Sequence, residues 1–268
     1  MAIRMTGETK ASGAEGGGKG APFRKVALRP GQIVLALEAA GNTCSVALGR
    51  MTASKPEILA AENRAMEHGQ AIALVPMIAA VMAKAGLAMQ AIDAVAVGIG
   101  PGGFTGLRIA LSTARGLGLA LQVPVIGLSS FQASAVALPP AIREGGDIVV
   151  LLDSRRSEPY AAWLGPDLGF RATPILLDEA GLAALLARVS PATITGDGLS
   201  LWTQGWPEGG RPEEGRPEGA WPEGCKIQPG GSDATALLDL AAEIDGRFQV
   251  APMPFYLREP DVSLPKAG

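Results

Sequence analysis

The stretch GIGPGGFTGLRIALSTARGLGLAL, residues 98–121, is where backbone chemistry is most strongly suggested. Gly98, Gly100 and Gly103 make a GxGxxG pattern after an apolar run and before a helical one. Dinucleotide-binding folds use that pattern to bring backbone against a pyrophosphate. The same chemistry needs an acidic residue about 20 positions further on, for the ribose hydroxyls. No Asp or Glu occurs between Phe104 and Arg143, and Pro101 removes one N–H from the loop. The pattern therefore argues against a nicotinamide or flavin site.

Metal and nucleophile chemistry find equally little. A catalytic metal needs about three protein ligands. His68 is the sole histidine, and the position that would share its helix face is Ile72. Cys44 opens an apolar strand, where inert core thiols are common. GLSSF is not the GxSxG of a nucleophile elbow. GAEGGGKG, Gly13 to Gly20, misses the phosphate loop because Gly20 stands where a Ser or Thr must hold magnesium. No catalytic residue and no metal ligand set is expected.

Phosphate binding is the strongest enzyme reading. Glu38 ends an apolar strand, and Gly41, Asn42 and Thr43 make the turn after it. An acid on a first strand with Gly and Thr in the following turn can hold a metal-bound phosphate. A second turn, DSRRSEPY, offers Arg155 and Arg156 but no glycine. The competing reading is two hairpins that simply fold.

The elements that position these residues follow from periodicity. Ile33–Leu37 and Cys44–Leu48 read as paired strands, with Glu57–Ala65 a third. Met66–Ala85 reads as a helix interrupted at Pro76. Ile92–Ile99 reads as a buried strand and Phe104–Leu121 as a helix, with Thr105 as its N-cap. DIVVLLDSRRSEPYAAWLG repeats the opening strand–turn–strand grammar. A helix over Leu176–Arg188, a strand ending at Gly196 and a helix over Asp233–Asp245 follow. The repetition predicts a duplicated α/β fold: a disordered tail at 1–31, a first lobe at 32–128, and a second lobe at 129–268. That lobe carries a low-complexity insertion near 204–230, including the pentapeptides WPEGG, RPEEG, RPEGA and WPEGC. Proline every fifth residue there blocks helix and central strand alike.

Within the Phe104–Leu121 helix, Gly106, Ala110, Ala114 and Gly118 form a ridge of small side chains, while Arg108 and Arg115 lie on another face. The ridge invites close packing; spacing leaves open whether its partner is internal or another chain. The chain has 268 residues, 47% apolar, with a net charge of −3 and 4% aromatics. That composition suits a globular protein and argues against binding RNA through its own surface. No apolar run suggests a membrane span or secretory signal. Two distant cysteines point to a reducing compartment, hence a cytoplasmic protein.

IVLALEAAGNTCSVAL, HGQAIALVPMI, AVAVGIGPGGFTGLRIALSTARGLGLAL, PVIGLSSFQA and PFYLREPDV together resemble the TsaB (YeaZ) family of tRNA threonylcarbamoyladenosine biosynthesis proteins. The resemblance is close over roughly 33–165 and returns near Tyr256–Pro260. It implies a two-lobed actin/sugar-kinase/Hsp70-like fold and a pseudoenzyme that binds and activates the catalytic subunit TsaD. His68 and Ile72 match that subunit's HxxxH metal motif, with the second ligand lost. The resemblance further implies that His68, Pro76, Thr105, Gly106, Arg108, Ala110, Ala114 and Gly118 meet TsaD, and that Glu38, Gly41, Asn42 and Thr43 are a vestigial phosphate site. It also implies a TsaE-type ATPase partner, ATP only in the assembled complex, tRNA contacted indirectly, and a homodimer when alone. An autonomous phosphotransferase and a glycoprotease-like metallopeptidase are the alternatives.

Overall fold

The computed structural model describes residues 25–189, 192–201, 225–228, 230–243 and 246–258. The Gly13–Gly20 motif, most of the tail and nearly all of the pentapeptide stretch lie outside the described residues. The first sheet contains β1 (Ile33–Glu38), β2 (Thr43–Arg50), β3 (Glu57–Ala65), β4 (Ala94–Gly98) and β5 (Val125–Leu128), in the order β3-β2-β1-β4-β5. The second contains β6 (Asp147–Leu152), β7 (Tyr160–Leu164), β8 (Ile175–Leu176), β9 (Ala192–Thr195) and β10 (Lys226–Ile227), in the order β10-β9-β6-β7-β8. In each sheet the first strand in sequence pairs antiparallel with the next and parallel with a later one. This is the duplicated α/β, actin/sugar-kinase/Hsp70-like architecture expected.

Alternation along β1 sorts the core. Ile33, Leu35 and Leu37 face one side with Val95 and Val97 of β4. Val34 and Ala36 face the other with Ala47, Ala94 and Ala96. The first face is covered by α1 (Gln70–Ala85) and α2 (Phe104–Leu121). The second face is made of small side chains, so α6 (Ala234–Ala241) lies close to it, beside α3 (Ser130–Val136). A Cβ on Gly49 would fall 2.8 Å from Leu238 Cδ1. Ile148, Val150 and Leu152 of β6 join the same cluster, so one apolar core runs between the sheets. After the short α4 (Pro140–Arg143), α5 (Glu179–Val189) covers the outer face of the second sheet. By chain order α6 belongs to the second lobe, yet it packs on the first sheet.

Several boundaries differ from expectation. α1 starts at Gln70, after Gly69 at φ +97°, rather than at Met66. It also runs through Pro76 without interruption. An interior proline costs roughly 3 kcal/mol. Burial of Leu74, Met77, Ile78 and Val81 contributes about 1.5–3 kcal/mol each and outweighs it. Ile175–Leu176 pairs with β7, which delays the next helix to Glu179. α6 ends at Ala241, short of Asp245, and starts after Asp233, whose side chain caps it by accepting from the Ala236 N–H. Residues 25–31 are not tail: Val26 exchanges two hydrogen bonds with the Gln249 side chain, and the Gly31 N–H donates to Met51 O.

Candidate functional site

Because Glu38 shares the parity of Val34 and Ala36, its carboxylate points toward the second lobe. It is fully buried. The Ala40 N–H donates to Oε1 at 2.9 Å, and Ser130 Oγ and Ser232 Oγ donate to Oε2 at 2.9 and 2.7 Å. Burial holds its pKa above the usual carboxylate range, and the hydrogen bonds offset this only in part. Gly98 sits alongside on β4, where a Cβ would fall 2.2 Å from Oε2. The first glycine of the GxGxxG pattern thus makes room for an acid, not for a pyrophosphate. Gly100, at φ +88°, turns the chain out of β4.

The two hairpin turns meet each other. Asn42 Nδ2 donates to Asp153 Oδ2 at 3.1 Å, and Arg155 Nη2 donates to the Gly41 carbonyl at 2.8 Å. The Asp153 N–H donates to Asp197 Oδ1 at 3.0 Å. Burial raises the Asp197 pKa, and the neighbouring Asp153 charge raises it further. Between the turns is a cavity of about 10 Å³, lined by Gly41, Gly102, Ser130, Asp153, Asp197 and Ser232 among others. That is room for about one water. Glu38, Gly41 and Asn42 do converge on the interlobe cleft, with Thr43 at the start of β2; the inner cavity there is small, while Gly41 and Asp153 also line a larger groove that opens outward. Asp197, Ser130 and Ser232 are contributors that sequence reading missed. Their recruitment depends on tertiary contacts and leaves no local pattern.

His68 and Ile72 are both exposed at the start of α1, Ile72 by 82%. Among the described residues, no three His, Cys, Asp or Glu side chains are grouped to hold a metal ion. A groove of about 720 Å³ opens between the starts of α1 and α2 and the Asp153–Arg156 turn. Its lining includes His68, Ile72, Phe104, Thr105, Arg155 and Arg156.

The small-residue ridge of α2 is buried within the chain, which corrects the expectation that it packs against another subunit. A Cβ on Gly106 would lie 2.0 Å from Ala39 O, and one on Gly118 would lie 2.3 Å from Val125 Cγ2. Ala110 and Ala114 enter the core that holds Leu35, Leu37, Val95 and Val97. Large strand side chains require small helix ones opposite them, so the ridge serves its own sheet. Thr105 does not cap α2: Gly103 holds that position, donating its N–H to Ala40 O and accepting from the Leu107 N–H. Arg108 is engaged by the chain itself. Its Nε donates to Tyr256 Oη at 2.9 Å, and its guanidinium carbon lies 3.7 Å from the Phe104 ring centroid.

The outward surface of α1 is apolar, and α2 adds exposed apolar residues near its end beside the polar Thr105, Arg108, Ser112 and Arg115. On α1, Ile72 is 82% and Val75 is 60% exposed, with Pro76 and Ala79 beside them. On α2, Leu119 is 83% exposed, near Gly116 and Ala120. The lone charge of α1 is Lys84. A surface helix without a polar face signals a covering partner, and that signal is present in QAIALVPMIAAVMAKA itself.

The family described as TsaD, tRNA N6-adenosine threonylcarbamoyltransferase, matches residues 62–165. The tRNA threonylcarbamoyladenosine biosynthesis protein TsaB of Escherichia coli is 36% identical over 131 residues, 48% of this chain and 53% of that protein. Its Haemophilus influenzae counterpart is 34% identical over 127 residues, 47% of this chain and 51% of that protein. The chain thus spans about half the length of these curated relatives. The structure of YeaZ from Pseudomonas aeruginosa superposes with a TM-score of 0.63 at 26% identity, covering 84% of this chain and 100% of that one. With the two-sheet fold and these likenesses in agreement, the chain is similar to the TsaB/YeaZ proteins of tRNA threonylcarbamoyladenosine biosynthesis.

Proposed function

We propose that this chain is a non-catalytic subunit in tRNA threonylcarbamoyladenosine biosynthesis. It docks on a TsaD-type transferase and activates it toward the tRNA adenosine beside the anticodon. The observation that carries this reading is the exposed apolar surface of α1, with Ile72 and Val75 each 60% exposed or more, together with Leu119 of α2, 83% exposed. Burying such side chains contributes about 1.5–3 kcal/mol apiece, enough to anchor a partner. The net charge of −3 supports contact with tRNA through the partner. The interface is drawn by the outward residues, with His68, Pro76 and Thr105 at its margin and the glycine–alanine ridge beneath it.

In the same reading, a TsaE-type ATPase joins the assembled complex, bringing ATP with it. The apolar face also pairs two copies when no transferase is present. The test is titration of the TsaD-type protein encoded in the same genome against wild type and the Ile72→Asp, Leu119→Asp double variant. The variant should raise Kd at least about 100-fold, or 2.7 kcal/mol, with its Tm within about 2 °C of wild type. Modification of tRNA by the transferase should fall in parallel. Undiminished affinity in a folded variant would overturn the reading.

A further inference from the structure

The last described stretch, residues 250–258, crosses from the first lobe to the second along the flank of α2. Val250 exchanges two backbone hydrogen bonds with Gly127 of β5, at 2.9 and 3.0 Å. The Arg115 guanidinium donates to the Pro252 carbonyl, and the Phe255 N–H donates to Ile99 O at 2.8 Å. The Tyr256 ring then stacks on Phe104, the first residue of α2, with centroids 5.3 Å apart, and its hydroxyl accepts from Arg108. Beyond it Arg258 pairs with Glu158 at 3.8 Å, in the β6–β7 turn that also carries Arg155 and Arg156. Phe104 and that turn form opposite walls of the 720 Å³ groove. One strap therefore touches Phe104, a lining residue of the groove, and the turn that carries two others, Arg155 and Arg156; neither Arg108 nor Tyr256 is needed to fill the core.

We propose that Tyr256 is a positioning residue: clamped by Arg108, it braces the first turn of α2, so that the groove and the apolar face beside it are presented pre-formed to the partner. This rests on the docking reading above. A binding surface ordered in advance loses less entropy on association. Arg stacked on an aromatic ring suits the task because the planar guanidinium holds the ring and a hydroxyl together.

The experiment measures Kd for the TsaD-type protein with Tyr256→Ala, Tyr256→Phe and Ile72→Asp variants of the full chain. Amide hydrogen exchange at Leu107 is followed in each uncomplexed variant. Tyr256→Ala should raise Kd about tenfold and speed exchange at Leu107, while β1 amides stay protected. Tyr256→Phe keeps the stack and should stay within about threefold of wild type. Wild-type affinity in Tyr256→Ala, with binding lost in Ile72→Asp, overturns the brace alone. Weakened binding with unchanged Leu107 exchange also overturns it, because Tyr256 then acts by touching the partner. Wild-type affinity in Ile72→Asp overturns the docking reading beneath it.

Discussion

A carboxyl group sealed from water loses free energy whenever it ionises, unless a cation or enough donors face it. Glu38 has an amide and two hydroxyls, and its pKa lies above the ordinary 4.5. The native state then keeps its proton at pH values where the unfolded chain has released it. Stability from this group is greatest below about 4.5 and declines as pH rises through the folded value. Glu38→Gln has the same shape and cannot ionise. Its Tm relative to wild type should therefore improve as pH is raised above about 4.5. A difference in Tm that does not change with pH would show that Glu38 is not held as described. The residue type and the turn after it are legible in the sequence, as is the parity that aims it inward. Its partners are not: Ser232 lies 194 residues away.

At the scale of the element, α2 shows how one repeat of small residues admits two readings. Helical spacing places Gly106, Ala110, Ala114 and Gly118 in a row, and a row of that kind fits any close neighbour. The neighbour is the chain's own sheet, because Leu35, Leu37, Val95 and Val97 occupy the space opposite. Two glycines of this helix should respond in opposite ways to alanine. At Gly106 the new methyl meets a backbone carbonyl that cannot yield, and the variant should lose about 1–3 kcal/mol in urea unfolding. At Gly116 a Cβ meets no atom within 4 Å. There the better helix former should add about 0.5–1 kcal/mol. Equal effects at the two sites would contradict the packing.

At the scale of the whole molecule, the lobes are not separate bodies. α6 arrives late in the chain but lies on the first sheet, and its Leu238 and Leu237 share a cluster with β6. Leu238→Ala should cost about 2–5 kcal/mol through lost burial and the cavity left behind. Protection of β1 and β6 amides should fall together, since one core supports both sheets. Loss confined to β1 would mean that the lobes unfold independently.

Local spacing by itself determined the strands β1 and β4, the whole extent of α2, the Asp233 cap of α6 and the repeated hairpin grammar. Each of these depends on alternation, helical period or a hydrogen bond within a few residues. Tertiary structure alone decided which side of α2 faces inward, that α1 passes Pro76 unbroken, that Arg108 belongs to Tyr256, and that Ser130 and Ser232 meet Glu38. Those outcomes depend on what a second, distant segment places opposite. Periodicity shows that a surface will be covered, and only the folded chain shows by what.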